Sequence, residues 1–144
     1  MGLVIQGRVL VPGEAEGVVM ASDEPLSFWG GYDQVTGEII DRRHPLSGRN
    51  AANAILAIPA SKGSSTTTAV LLEAIRRRTA PAALITQDPD SFLTLASVVA
   101  DELFRCPVPV VALGAAEFRL LRSGQHARVC DDGRIEIRDG IDHN

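Results

Sequence analysis

Five consecutive hydroxyl side chains, Ser64, Ser65, Thr66, Thr67 and Thr68, follow Lys62 and Gly63. The run lies between an apolar strand expected at residues 54–58, broken by Pro59, and a helix expected from about 66 to 78. Unpaired backbone N–H groups and the positive end of the helix dipole gather at such a helix start. The corner is therefore suited to an anion, such as a carboxylate or a phosphate. Gly63 permits a backbone conformation that other residues resist and lets a ligand approach closely. Ser64 follows it directly, with its hydroxyl at the mouth of the turn. An ordinary N-cap accounts for one hydroxyl, because the side-chain oxygen accepts from an exposed N–H. Five exceed what capping needs, yet on this stretch alone capping is favoured over catalysis. A Walker phosphate loop is excluded, since it requires Gly-Lys-Ser/Thr and here Lys62 precedes Gly63.

The other chemistry-bearing side chains are scattered. Cys106 and Cys130 form no CxxC pair, and with His44, His126 and His143 they show no metal-ligand spacing, so two reduced thiols and no metal site are expected. The connection at residues 22–37 is long for its kind and holds the single Trp and the single Tyr. Phe28 and Trp29 stand there beside Gly30 and Gly31. Two readings stay open: aromatics plugging the core, or a lip over a pocket or a partner. His44 is held extended by Pro45, which favours a structural role. Arg42 and Arg43 read as solvated.

These residues need a scaffold. A chain of 144 residues with 45% hydrophobic side chains suits one globular domain over residues 1–144, with a polar tail from about 139. Net charge is −4, which argues against a nucleic-acid binder. No apolar run approaches the ~20 residues of a membrane span. The first residues lack the basic start and apolar core of a signal peptide, so a cytoplasmic location is expected. Residues 3–10 and 16–21 read as strands that could pair with each other, pointing to antiparallel structure rather than a parallel nucleotide-binding sheet. No GxGxxG follows the first strand. Residues 38–40 read as a short strand. Val70, Leu71, Ala74 and Ile75 fall at helical spacing and should face the core. Pro81 stops that helix, residues 82–86 form a buried strand, and Asp90 or Ser91 caps a second helix to about 103. Residues 107–113 give a strand, 115–121 a helical turn, and 126–130 with 134–137 a closing hairpin around Asp131-Asp132-Gly133. The fold class is α/β: a compact barrel-like mixed sheet with helices on one side.

With Pro25-Leu26-Ser27-Phe28-Trp29-Gly30-Gly31, Thr36-Gly37-Glu38-Ile39-Ile40-Asp41, His44-Pro45-Leu46 and Lys62-Gly63-Ser64-Ser65 in view, the chain resembles the small-subunit, or swivel-domain, family of aconitase X. The likeness runs in order from about residue 7 to 109, and the combination at these spacings is specific. The resemblance implies a swivelling β/β/α domain. It implies a larger partner subunit that carries an iron or iron–sulfur centre and much of the pocket for a small hydroxy-acid substrate. It implies dehydration chemistry, on mevalonate 5-phosphate in archaeal members and cis-3-hydroxy-L-proline in bacterial ones. Trp29 and the His44 segment look more like the bacterial branch. The family's catalytic base is the serine after the loop glycine, which falls on Ser64. Gly63, Ser65, Thr66, Lys62 and Ser27 are then expected to bind substrate. Phe28, Trp29, Gly30, Gly31 and His44 are expected at the partner or pocket lip. Thr66 stands where the aconitases proper carry Arg, so a carboxylate clamp is expected from the partner.

Two functions follow. In the first, the chain is a hydro-lyase subunit in which Ser64 removes the α-proton while iron on the partner takes the leaving hydroxyl. Serine can act so only where fixed dipoles and charges stabilise its alkoxide, which the helix start and Lys62 could do. In the second, it is a non-catalytic anion-binding or scaffold module using the same corner.

Overall fold

The computed structural model describes residues 2–63 and 65–138. Ser64 and the expected polar tail therefore lie outside the described residues. Ten strands and three helices follow in the order β1 (Gly2–Gln6), β2 (Arg8–Val11), β3 (Ala15–Ala21), β4 (Leu26–Ser27), β5 (Ile55–Ala57), β6 (Ser61–Lys62), α1 (Ser65–Arg77), β7 (Ala83–Gln87), α2 (Ser91–Phe104), β8 (Val110–Leu113), α3 (Ala115–Phe118), β9 (His126–Val129) and β10 (Arg134–Arg138).

Eight strands form one sheet in the order β1-β10-β9-β3-β5-β7-β8-β2. Its centre is parallel: β3 with β5, β5 with β7, β7 with β8. The opening strands pair antiparallel as expected, β1 with β10, β2 with β8 and one side of β3 with β9, and the parallel centre is the part that was not expected. The units β5-α1-β7 and β7-α2-β8 are helical crossovers, which return each strand in the same direction. The expected pairing of the first two strand regions with each other is absent. The chain bends at Gly7, whose N–H donates to Gly133 O (2.9 Å). As a result β1 pairs with β10 and β2 with β8, at opposite ends of the strand order. β1 and β2 are consecutive in the chain, so the two ends of the sheet meet across that bend and the sheet is barrel-like.

Alternation along the central strands separates two cores, as strand geometry requires. Met20, Leu56, Ile58, Leu84 and Val110 pack with Leu71, Ala74 and Ile75 of α1 and Leu93, Ala96 and Ala100 of α2. Val19, Ile55, Ala57, Ala83, Ile85 and Val111 pack instead with Ile5, Ala127, Val129, Ile135 and Ile137 of the β1-β10-β9 end, and with Phe118 and Leu121. The layers are therefore helix, sheet and sheet. The two long helices share one face, as expected, and the single-turn α3 lies on the other.

The helix ends follow local chemistry. α1 stops at Arg78, which is left-handed (φ 64°), close before Pro81. Asp90 caps α2, accepting from the N–H groups of Phe92 and Leu93. Residues 38–40, expected as a strand, make only isolated bridges, Tyr32 with Ile39 and Glu38 with Asn50. A stretch that bonds to its own loop rather than to a neighbouring ladder cannot extend into a strand.

Candidate active site

The loops that follow the parallel strands leave the sheet at one edge, where α/β folds place their ligands. After β5 the chain passes Pro59 and Ala60 into β6, then Gly63, then α1. After β7 it passes Asp88 and Pro89 to Asp90. After β3 it turns into the aromatic segment, which begins with β4. β4 and β6 pair in parallel, with Leu26 opposite Ser61 and Ser27 opposite Lys62. Leu26 N–H donates to Ala60 O (3.1 Å), locking the two segments together. The two stretches singled out in the sequence are thus adjacent, and Ser27 stands beside Lys62.

Gly63 lies at φ 114°, a backbone conformation that side-chain-bearing residues rarely adopt. It turns the chain from β6 into α1. Ser65 and Thr66, in the first turn of α1, are exposed, as are Lys62 and Gly63. The first turn of α1 has no acidic residue, so the positive end of its dipole is not neutralised by its own side chains. Lys62 forms no ion pair among the described residues. Cation and helix start together favour an anion at this corner.

The hydroxyl run is not uniform. Thr67 is buried, and its Oγ1 donates to Lys62 O (3.4 Å), tying the loop to the helix it precedes. Thr68 Oγ1 donates to Phe92 O (3.0 Å), joining the start of α1 to that of α2. These two hydroxyls serve structure, which answers in part why five stand in a row. Ser27 Oγ donates to Trp29 O (3.0 Å), folding the aromatic turn back on β4.

The lip residues divide. Phe28 is fully buried and stacks on Tyr32, with ring centroids 5.2 Å apart. Tyr32 donates its hydroxyl to Thr79 O (2.7 Å), and burial pushes its phenol pKa upward. Gly31 is buried against Ser27 O, where a Cβ would collide with the backbone. His44 is also buried: Nδ1 accepts from Leu46 N–H (3.1 Å), so Nε2 carries the proton and donates to Glu24 O (3.2 Å). Phe28, Gly31 and His44 are therefore not a lip but the packing behind one, because their polar and apolar surfaces are satisfied within the chain. Trp29 is 69% exposed and Gly30 is exposed with it. These two alone keep the outward position expected of the whole group.

Of the two caps the sequence offers, Asp90 and Ser91, the structure uses Asp90, and it gives Asp90 a second task that the sequence does not announce. The Asp90 carboxylate is buried, and its Oδ2 accepts from both Ser61 N–H and Ser61 Oγ, each at 2.8 Å. Its Oδ1 accepts from Phe92 N–H (3.1 Å) and Leu93 N–H (3.0 Å). The available signal was positional: Asp88-Pro89-Asp90 follows a strand parallel to β5, so it had to emerge beside the Ser61 loop. Among the described residues no group of three or more His, Cys, Asp or Glu side chains could hold a metal ion. No described helix is long and apolar enough to cross a membrane.

Comparison with known proteins agrees with this geometry. A family model described as the aconitase X swivel domain matches residues 4–137. A cis-3-hydroxy-L-proline dehydratase of Pseudomonas aeruginosa is 45% identical over 93% of this chain and 23% of its own length. One from Hypocrea jecorina is 43% identical over 86% of this chain and 21% of its own. The chain thus spans about a quarter or less of the length of these relatives. The phosphomevalonate dehydratase small subunit of Methanothermobacter thermautotrophicus is 40% identical over 90% of this chain and 96% of its own. The crystal structure of Thermococcus kodakaraensis aconitase X, holo-form, superposes with a TM-score of 0.83 at 31% identity, covering 95% of this chain and 99% of that one. The matched range, the identities and the shared layers together make this chain a member of the aconitase X swivel-domain family.

Proposed function

We propose that the chain is the swivel component of an aconitase X-type dehydratase. It supplies the base and one wall of the pocket, and a larger partner supplies the rest. The single observation that carries the reading is the β4–β6 pairing. It sets Ser27 beside Lys62 at the entrance to α1, where the first turn has no acidic side chain. In this reading Lys62, Gly63 and the N–H groups of α1 form this chain's side of the pocket, and the partner clamps the substrate carboxylate. Ser64, next to Gly63 in the chain, takes the proton from the carbon beside that carboxylate. Lys62 and the helix dipole stabilise its alkoxide, as fixed dipoles do for developing charge elsewhere. The C–H electron pair then forms the double bond as the neighbouring hydroxyl departs, and the product is the substrate less one water. Ser27, Ser65 and Thr66 line the same corner for hydrogen bonding. The iron or iron–sulfur centre belongs to the partner in this reading, since the described residues of this chain offer no ligand cluster. Exposed Trp29 and Gly30 face that partner.

cis-3-Hydroxy-L-proline is the preferred substrate, supported by the 45% and 43% identities to dehydratases named for it. Mevalonate 5-phosphate is the second reading, supported by the 40% identity to a phosphomevalonate dehydratase small subunit. Purification with the large subunit, followed by a dehydration assay on both compounds, tests the proposal. Turnover of either supports the enzyme and selects the substrate. A stable assembly that dehydrates neither favours a non-catalytic anion-binding or scaffold module.

A further inference from the structure

We propose that Asp90 is a positioning residue for the reaction, holding the Ser61–Lys62–Gly63 stretch in register with the start of α2. The inference rests on the reading of that loop as the place of proton abstraction. Its grounds are four hydrogen bonds on one buried carboxylate, divided evenly between two elements. Oδ1 serves the α2 cap, and Oδ2 holds the N–H and the hydroxyl of Ser61. A capping carboxylate needs only the first pair. The second pair joins the loop to a helix that is itself fixed in the core through Leu93, Ala96 and Ala100. One neighbouring bond acts in the same direction, joining the start of α1 to that of α2: Thr68 Oγ1 to Phe92 O (3.0 Å). β6 has only two residues and one partner strand, so its own ladder gives it little hold. Asp90 therefore supplies what the sheet does not.

Asp90→Asn separates the two tasks. Asparagine caps a helix about as well as aspartate, so its single oxygen keeps Phe92 and Leu93 satisfied. Its amide nitrogen then faces Ser61 N–H, donor against donor. In the assembled dehydratase the expected result is a kcat lower by roughly 10²-fold, the scale of a misplaced reacting group, with KM little changed. Amide resonances of Ser61, Lys62 and Gly63 should move while those within α2 stay. In a Ser64→Ala background the same change should cost little more, because residues acting as a unit are not additive. Should Asp90→Asn fail to fold, Ser61→Ala removes one of the two loop bonds with the α2 cap whole, and should give a smaller loss of kcat alone. Wild-type kcat in Asp90→Asn or Ser61→Ala overturns the proposal, as do unmoved loop amides. Ser64→Ala with full turnover sinks the base assignment instead, and leaves Asp90 to be judged on its own kcat and amide shifts.

Discussion

Phe28 and Trp29 are adjacent aromatics with opposite surroundings, and replacing each with alanine should separate stability from assembly. Phe28 is 0% exposed and stacks on Tyr32 with centroids 5.2 Å apart. Removing a buried phenylalanine costs about 3–5 kcal/mol, through lost transfer energy and the cavity left behind. The ring stack contributes ~0.5–1.5 kcal/mol within that figure. For a domain of this size each kcal/mol moves the melting temperature by about 4 °C, so Phe28→Ala should melt roughly 12–20 °C lower. Trp29 is 69% exposed, and its loss should fall within about 0.5 kcal/mol of wild type. The assay is urea unfolding of the isolated chain followed by far-UV circular dichroism, with thermal melts alongside. The account of the aromatic turn is refuted if Phe28→Ala costs less than about 1 kcal/mol, a value ordinary for any substitution. It is equally refuted if Trp29→Ala destabilises as much as Phe28→Ala.

Trp29→Ala should instead weaken binding of the proposed larger partner, measured by titration calorimetry, since exposed aromatics are favoured interface anchors. Gly31→Ala should destabilise by ~1–3 kcal/mol, as other forced overpacking does, because its Cβ would meet Ser27 O; urea midpoints check this. Glu73 bonds to Arg76 and Arg77, and these bonds hold its carboxyl pKa at about 2, down from 4.5. A depressed acid stabilises the fold above its unfolded pKa and loses that contribution as pH falls through the folded one. Thermal melts between pH 4.5 and 2 should therefore fall less steeply in Glu73→Gln than in wild type, and salt should shrink the difference.

Much of the scaffold could be read locally. Val70, Leu71, Ala74 and Ile75 gave the buried face of α1, and the pair Asp90 and Ser91 the start of α2, because helical period and caps are properties of neighbouring residues. The closing hairpin declared itself through Asp131-Asp132-Gly133. Strand partners did not: β1 and β2 part at Gly7 to opposite ends of the sheet, and nothing within that segment specifies β10 or β8 as neighbours. The split between Phe28 and Trp29 was equally hidden, since both carry the same hydrophobic signal and only packing against Tyr32 chooses between them. The candidate site was legible as two separate stretches. Their meeting, Ser27 against Lys62, depends on two strands of two residues each, too short to show any period. His44 is buried with both ring nitrogens hydrogen-bonded inside the chain, to Glu24 O and Leu46 N–H, partners that no local spacing in the sequence specifies.

The central claim is that Ser64 is the base, and Ser64→Ala in the chain reconstituted with the proposed larger partner tests it most directly. Loss of a general base costs on the order of 10²–10⁴ in rate, whereas loss of a cap costs about 1 kcal/mol of stability. The account predicts turnover reduced by that rate factor, with assembly and melting temperature nearly those of wild type, and a milder effect from Ser65→Ala. A Ser64→Ala complex that keeps most of its turnover and merely melts earlier would contradict it and move the base to the partner.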